Sequence, residues 1–231
     1  EEKLNLIDVV IEVLDARIPS ASRNPMISEL VGDKPHLIVL NKTDLADPVM
    51  TKLWQKKLQG PRTLVMAMDA QHNTNMQALI TLIKKAASEK VKKLEERGAS
   101  NPIIRVCLVG VPNCGKSTII NRLVGRNVTM TGDRPGVTKG QAWLKTPYGI
   151  QILDTPGILW PKFEDQDVGY KLAAFGAIKD TIFHADDVAL FVIRQLRQYY
   201  PAYLAKFANC TKDELENIGD TDLLLAMTQN N

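Results

Sequence analysis

Residues Gly110-Val111-Pro112-Asn113-Cys114-Gly115-Lys116-Ser117 form a G-x-x-x-x-G-K-S run without a mismatch. A loop of this kind turns successive backbone N–H groups inward around phosphate oxygens. A helix starting at its end adds positive potential. Gly110, Asn113, Cys114, Gly115, Lys116, Ser117 and Thr118 are therefore expected to line a polyphosphate. Lys116 would sit on the β- and γ-phosphates and the Ser117 hydroxyl on Mg²⁺. A second run, Asp154-Thr155-Pro156-Gly157, offers a carboxylate for a Mg²⁺-bound water and an N–H, at Gly157, for the γ-phosphate. A third is Asn41-Lys42-Thr43-Asp44. The Asp44 carboxylate would accept two hydrogen bonds from the N1–H and N2–H₂ edge of guanine. Adenine lacks those donors and would leave the acceptor unpaired. Asn41 would brace the neighbouring loop, and the Lys42 stem would lie along the base. Taken singly, D-x-x-G is a common turn; the three runs together select GTP and GDP over adenine nucleotides.

These residues must be held by strands and helices. Leu6–Leu14 is aliphatic and β-branched and reads as a buried strand, running into Asp15-Ala16-Arg17 and a Pro/Ser/Asn-rich loop. Leu37–Leu40 reads as a strand entering Asn41, and a helix starts at Asp47-Pro48 and runs to Leu58. Thr63–Met68 is a third strand. One long helix is predicted from Met76 to Arg97, ended by Gly98. Ile103–Val109 leads into the glycine loop, and a helix follows to Leu123. Residues 124–140 read as loop. Gln141–Lys145 and Ile150–Leu153 read as a hairpin around Pro147-Tyr148-Gly149. Past Lys162 the pattern is helical, with Asp167–Ile178, Ala185–Tyr199 and Lys212–Leu225 as helices. The fold class expected is α/β: a mostly parallel sheet with helices on both faces over residues 1–162, then a small all-helical domain over 163–231.

Composition limits the alternatives. Hydrophobic residues are 45% and charged residues 24% of the 231, as in ordinary globular proteins. No apolar run is long enough to span a bilayer, and no lipidation motif is visible, so no membrane partner is expected. Three cysteines without metal spacing argue against a disulfide framework and for a cytoplasmic location. Residues 1–160 carry 22 Lys and Arg against 15 Asp and Glu, and residues 161–231 carry seven against 11. A basic body of this kind is compatible with nucleic-acid contact.

The three runs are the signature of the translation-factor class of P-loop GTPases, but N-K-T-D precedes the phosphate loop here, so the domain reads as circularly permuted. Ligands bind at the carboxyl ends of parallel strands whatever the order, so permutation leaves such a site intact. The full set is Asp15-Ala16-Arg17, Ser22-Arg23-Asn24-Pro25, Asn41–Asp44, Gly110–Ser117, Thr131–Thr138, Asp154–Pro161 and Gly176–Asp180. With it the chain resembles the RbgA/YlqF family of circularly permuted ribosome-assembly GTPases. That resemblance implies GTP hydrolysis coupled to late maturation of the large ribosomal subunit, with a helical tail that contacts rRNA. It implies a monomer with no DNA partner, slow alone and stimulated by the large subunit. It also places Thr138 in the first switch on Mg²⁺ and the γ-phosphate, and Asn113 beside a K⁺. Where Ras-like GTPases carry a water-orienting Gln, this chain has Ile158, which cannot orient water. The resemblance implies a histidine upstream of Glu1 instead, so the catalytic residue is unknown. In this order the chain leaves Gly157 directly for the helical tail, so a nucleotide-dependent change there would pull on the second domain. The competing reading is an RNA-binding scaffold whose nucleotide site is regulatory and not hydrolytic; retention of Asp44, Lys116, Ser117 and Asp154 disfavours it.

Overall fold

Near-continuous aliphatic runs are what a strand buried on both faces requires, and the chain supplies several. In a computed structural model, which describes residues 4–128, 142–157, 159–160, 165–179 and 181–229, six strands form one sheet. They are β1 (Val9–Asp15), β2 (His36–Asn41), β3 (Thr63–Ala67), β4 (Ile104–Val109), β5 (Ala142–Lys145) and β6 (Ile150–Asp154), in the order β3-β2-β1-β4-β6-β5. All neighbours are parallel except β5, which pairs antiparallel with β6 at the edge. Every residue of β1 and β2 is buried.

The helices of this part are α1 (Pro19–Ser22), α2 (Ile27–Val31), α3 (Pro48–Leu58), α4 (Met76–Ala86), α5 (Ser88–Glu96) and α6 (Lys116–Val124). On one face, Ile27 and Val31 of α2 pack with Val10, Cys107, Val109 and Leu153. On the same face Trp54 and Leu58 of α3 pack with Leu14, Ile38 and Leu40. Val9, Ile11, Val13, Leu37 and Val39 alternate to the opposite side and are fully buried. Helix α4 packs against β2 and β3, and α6 against β6. Asp47 caps α3 by accepting from the N–H groups of Val49 and Met50, with Pro48 at the first position, as the sequence predicts.

Several boundaries differ from the sequence reading; the helix expected over Asp167–Ile178, for one, spans Gln166–Ala174. Strand β1 begins at Val9, not Leu6, because Asp8 intervenes: its carboxylate accepts the Arg105 N–H at 2.9 Å and also meets the Lys90 ammonium. The single helix predicted over Met76–Arg97 is two, broken at Ala87 (φ −89°, ψ 0°). The buried stripe Leu79, Ile80, Ile83, Ala87 stops there and α5 has no buried residue, so packing does not hold the axis straight. The helix predicted over Lys212–Leu225 is also two, α10 (Lys212–Asn217) and α11 (Asp220–Gln229), and a helix unforeseen in the sequence lies at Pro201–Phe207 (α9). Ile218 is extended between α10 and α11, and Arg197 fastens the break. Its guanidinium donates to the carbonyls of Leu215 and Ile218 and to the Asp220 carboxylate.

The chain divides into two compact units, Glu1–Phe163 and Glu164–Asn231. The second holds α7 (Gln166–Ala174), α8 (Ala185–Tyr199), α9, α10 and α11 around Ile193, Leu204, Ala205, Leu215 and Leu223. Tyr170 of α7 stacks on Phe191 of α8 with ring centroids 5.4 Å apart. Among the described residues, no helix is long and apolar enough to cross a membrane.

Candidate nucleotide site

Four neighbouring parallel strands, β2, β1, β4 and β6, deliver their carboxyl ends to one edge of the sheet. That edge is where α/β sheets bind ligands. After β2 comes Asn41–Asp44, after β1 Asp15–Arg17, after β4 Gly110–Ser117, and after β6 Asp154–Gly157. The three runs found in the sequence thus meet in space.

The glycine loop curls as expected and hands the chain to α6. Gly115, the residue before α6, has φ +102°, and a Cβ there would lie 2.1 Å from Asn41 Nδ2. That closeness is functional in form: Asn41 Nδ2 donates to the Cys114 carbonyl at 3.0 Å, and Asn41 Oδ1 accepts from the Ala70 N–H at 3.0 Å. One side chain therefore braces both the phosphate loop and the 67–70 turn. Lys42, at φ +64°, sends its ammonium to the Asn113 carbonyl at 2.6 Å. Asp44 lies in the short turn after Lys42, with its carboxylate partly exposed.

Lys116 is buried at the start of α6, and its ammonium is held by the carbonyls of Gly110 (3.0 Å) and Val111 (2.9 Å). Ser117 and Thr118 follow in the first turn of α6. The D-x-x-G turn lies directly against this loop. A Cβ on Gly157 would stand 2.7 Å from both Cα and N of Pro112 and 3.1 Å from Lys116 Nζ. The Thr155 hydroxyl donates to the Leu108 carbonyl, fixing the turn to β4. Asp154 is 4% exposed, and its Oδ1 has no hydrogen-bond partner. Burial pushes its carboxyl above the usual carboxylate range, only partly offset by the Lys116 charge and the Thr155 N–H. Burial, with the Asp154 charge, also pushes the Cys107 thiol up to about 12, so it is inert at neutral pH. A buried carboxylate oxygen without a donor, beside the Ser117-bearing turn, is the hard-oxygen set that Mg²⁺ takes. Thr138 and Ile158 lie outside the described residues.

Gly157→Ala would force its methyl onto the Pro112 backbone and push the turn off the loop. GTP affinity is expected to fall about tenfold, as for one lost hydrogen bond to a charged group, with GDP affinity little changed. Equilibrium binding of both nucleotides checks this.

Two sets of contacts go beyond the three runs; the sequence places His72 in a loop that could approach the base, but not its bond to Asp69. Asp69 is buried, receives the His72 ring and backbone N–H, and places that ring 3.9 Å from the Asp44 carboxylate. Burial would raise the Asp69 carboxyl, but the His72 hydrogen bonds and charge reverse this and leave it below its usual range. His36 lies 3.1 Å from buried Glu12, and His184 precedes α8. The other set centres on Asp15. Burial would raise its carboxyl, but the Arg17 hydrogen bonds and charge, with the Lys42 charge, leave it below its ordinary value of 3.8. A carboxyl harder to protonate when folded contributes stability above the unfolded value, lost as pH falls through the folded one. The stability gap between wild type and Asp15→Asn near neutral pH is therefore expected to close as pH falls below 3.8. Chemical denaturation across that range measures it; a gap independent of pH would contradict it.

Fold and site together define a P-loop GTPase whose motifs are circularly permuted. Residues 105–228 match the family described as 50S ribosome-binding GTPase. Ribosome biogenesis GTPase A of Priestia megaterium is 48% identical over 209 residues, covering 90% of this chain and 73% of that protein. The GDP-bound structure of TM YlqF superposes with a TM-score of 0.63 at 27% identity, covering 99% of this chain and 90% of that one. For GNP-bound YlqF from T. maritima the TM-score is 0.60 at 26% identity, with coverage of 98% and 92%. The chain belongs to the ribosome biogenesis GTPase A (RbgA/YlqF) family. It is a GTP hydrolase that binds GTP and GDP.

Proposed function

We propose that this chain is a GTP-dependent switch in late assembly of the large ribosomal subunit, with that particle and its rRNA as activator. The observation that carries the reading is the convergence of Lys116, Asp154, Gly157 and Asn41–Asp44 at one sheet edge, in a chain of this family. Gly110, Asn113–Thr118 and Gly157 hold the phosphates through N–H groups and the Lys116 charge. Asn41, Lys42 and Asp44 hold the guanine. Ser117 and Asp154, with Thr138, would hold Mg²⁺, which would screen the phosphate charge. The Asn113 backbone carbonyl is engaged by Lys42, and its side-chain amide oxygen would be the ligand offered to K⁺. Ile158 offers no group to orient water, so that group is not supplied by the residue after Gly157. Turnover is accordingly slow until the large subunit orders the site. The helical unit contacts rRNA, and chain order carries a change at Gly157 into it. The protein works in the cytoplasm as a monomer.

Co-sedimentation of the full-length protein with purified large subunits tests the partner. Retention with a non-hydrolysable GTP analogue and release with GDP are expected. Equal retention with either nucleotide would remove the switch and favour a scaffold.

A further inference from the structure

Beside the three runs lies a buried carboxylate, Asp15, that belongs to none of them. Asp15 closes β1 and is 3% exposed. Its Oδ1 accepts from the Arg17 backbone N–H at 3.1 Å and from Arg17 Nε at 2.8 Å, and its Oδ2 from Arg17 Nη2 at 2.6 Å. The fork thus takes both carboxylate oxygens, the geometry that fixes a carboxylate most firmly. The Asp15 N–H donates to Ser22 Oγ at 3.1 Å, which locks the backbone behind it. On its other side Oδ2 lies 3.3 Å from the Lys42 ammonium.

Lys42 is the link between the base-reading turn and the phosphate loop. Its ammonium donates to the Asn113 carbonyl at 2.6 Å. Both residues sit in the left-handed region, Lys42 at φ +64° and Asn113 at φ +58°. Non-glycine residues hold that conformation only where surroundings impose it. A lysine ammonium is a compact charge on a flexible stem. A neutral carbonyl alone leaves it free to swing to water; a fixed carboxylate beside that carbonyl does not.

We propose that Asp15, oriented by Arg17, is a positioning residue of the nucleotide site: it pins the Lys42 ammonium against the Asn113 carbonyl and so sets the spacing between the guanine-reading turn and the phosphate loop. This rests on the reading of Asn41–Asp44 and Gly110–Ser117 as one nucleotide site. Asp15 does not stand where Asp44 reads the base. Its loss therefore weakens guanine and hypoxanthine nucleotides by the same factor, and GDP as well as GTP.

The test is a double-mutant cycle in the full-length protein, read by binding of fluorescent mant-GDP, with thermal melts confirming that each variant is folded. Asp15→Asn keeps the side-chain shape and is expected to weaken mant-GDP about tenfold or more, the cost of a lost charge-assisted contact. Made in a Lys42→Met background, the same substitution is expected to cost less than about threefold, because contacting residues couple. Competition with IDP is expected to show the guanine-to-hypoxanthine ratio unchanged. Arg17→Gln runs the same cycle with a smaller effect in the same direction, and decides the matter if Asp15→Asn does not fold. Equal losses in both backgrounds, unchanged mant-GDP affinity, or an altered base ratio would each overturn the proposal. Failure of the wild type to bind mant-GDP would instead overturn the reading of the site itself.

Discussion

Lys116→Ala is expected to abolish tight GTP binding. The ammonium is buried and held by two loop carbonyls, so it is aimed into the concavity of the glycine loop before any phosphate arrives. Little ordering is then needed on binding, and the charge acts away from bulk water, where it is worth most. Removing one partner of a buried, hydrogen-bonded charge pair costs about 2–5 kcal/mol, a loss of roughly 30- to several-thousand-fold in affinity. Deleting Lys116 also removes the cation beside Asp154, which would leave that buried carboxylate less able to ionise. Mg²⁺-dependent binding is therefore expected to fall with it. Titration with a fluorescent GTP analogue measures the loss, and unchanged affinity would contradict the phosphate-loop assignment.

Asp44→Asn is expected to move base preference from guanine toward xanthine. An amide in place of the carboxylate presents a donor where guanine N2–H₂ needs an acceptor. Xanthine, with a carbonyl at that position, accepts from the amide. Leaving a donor against a donor at a desolvated edge costs about 1–3 kcal/mol per group. GTP affinity is therefore expected to fall about a hundredfold and XTP affinity to rise by a similar factor. The rest of the pocket supports the exchange. Asn41 holds Cys114 and Ala70 through contacts that do not involve Asp44, so the loop geometry survives the substitution. Competition between GTP and XTP reads the ratio directly. A ratio equal to that of the wild type would show that Asp44 does not read the base.

The chemistry-bearing residues were legible because each sits in a run whose spacing already states its task. Gly115 must be glycine where the chain turns left-handed beside Asn41, and Lys116 must follow it to enter the helix. The strands were legible for a similar reason: a parallel sheet buries both faces, so Val9–Leu14, interrupted only by Glu12, and Leu37–Leu40 are aliphatic runs. The role of Asp15 was not legible. The sequence shows Asp15 and Arg17 two residues apart at the end of a strand, but Lys42, which meets Asp15, and Asn113, which meets Lys42, are far along the chain and come together only in the fold. Helix breaks were lost for another reason. Ala87 is a good helix former, and nothing local forbids a continuous helix; the axis bends where burial ends. The break at Ile218-Gly219 had a visible glycine, but its anchor, Arg197, comes from a different helix.

GTP turnover of the full-length protein, with and without purified large ribosomal subunits in potassium buffer, is the decisive measurement. The site lacks a water-orienting residue after Gly157 in the sequence, and the assembled particle is the activator in this account. Slow turnover alone and strong stimulation by the large subunit, weakened when sodium replaces potassium, is the predicted result. Guanine-nucleotide binding with no stimulation by any ribosomal particle would contradict it.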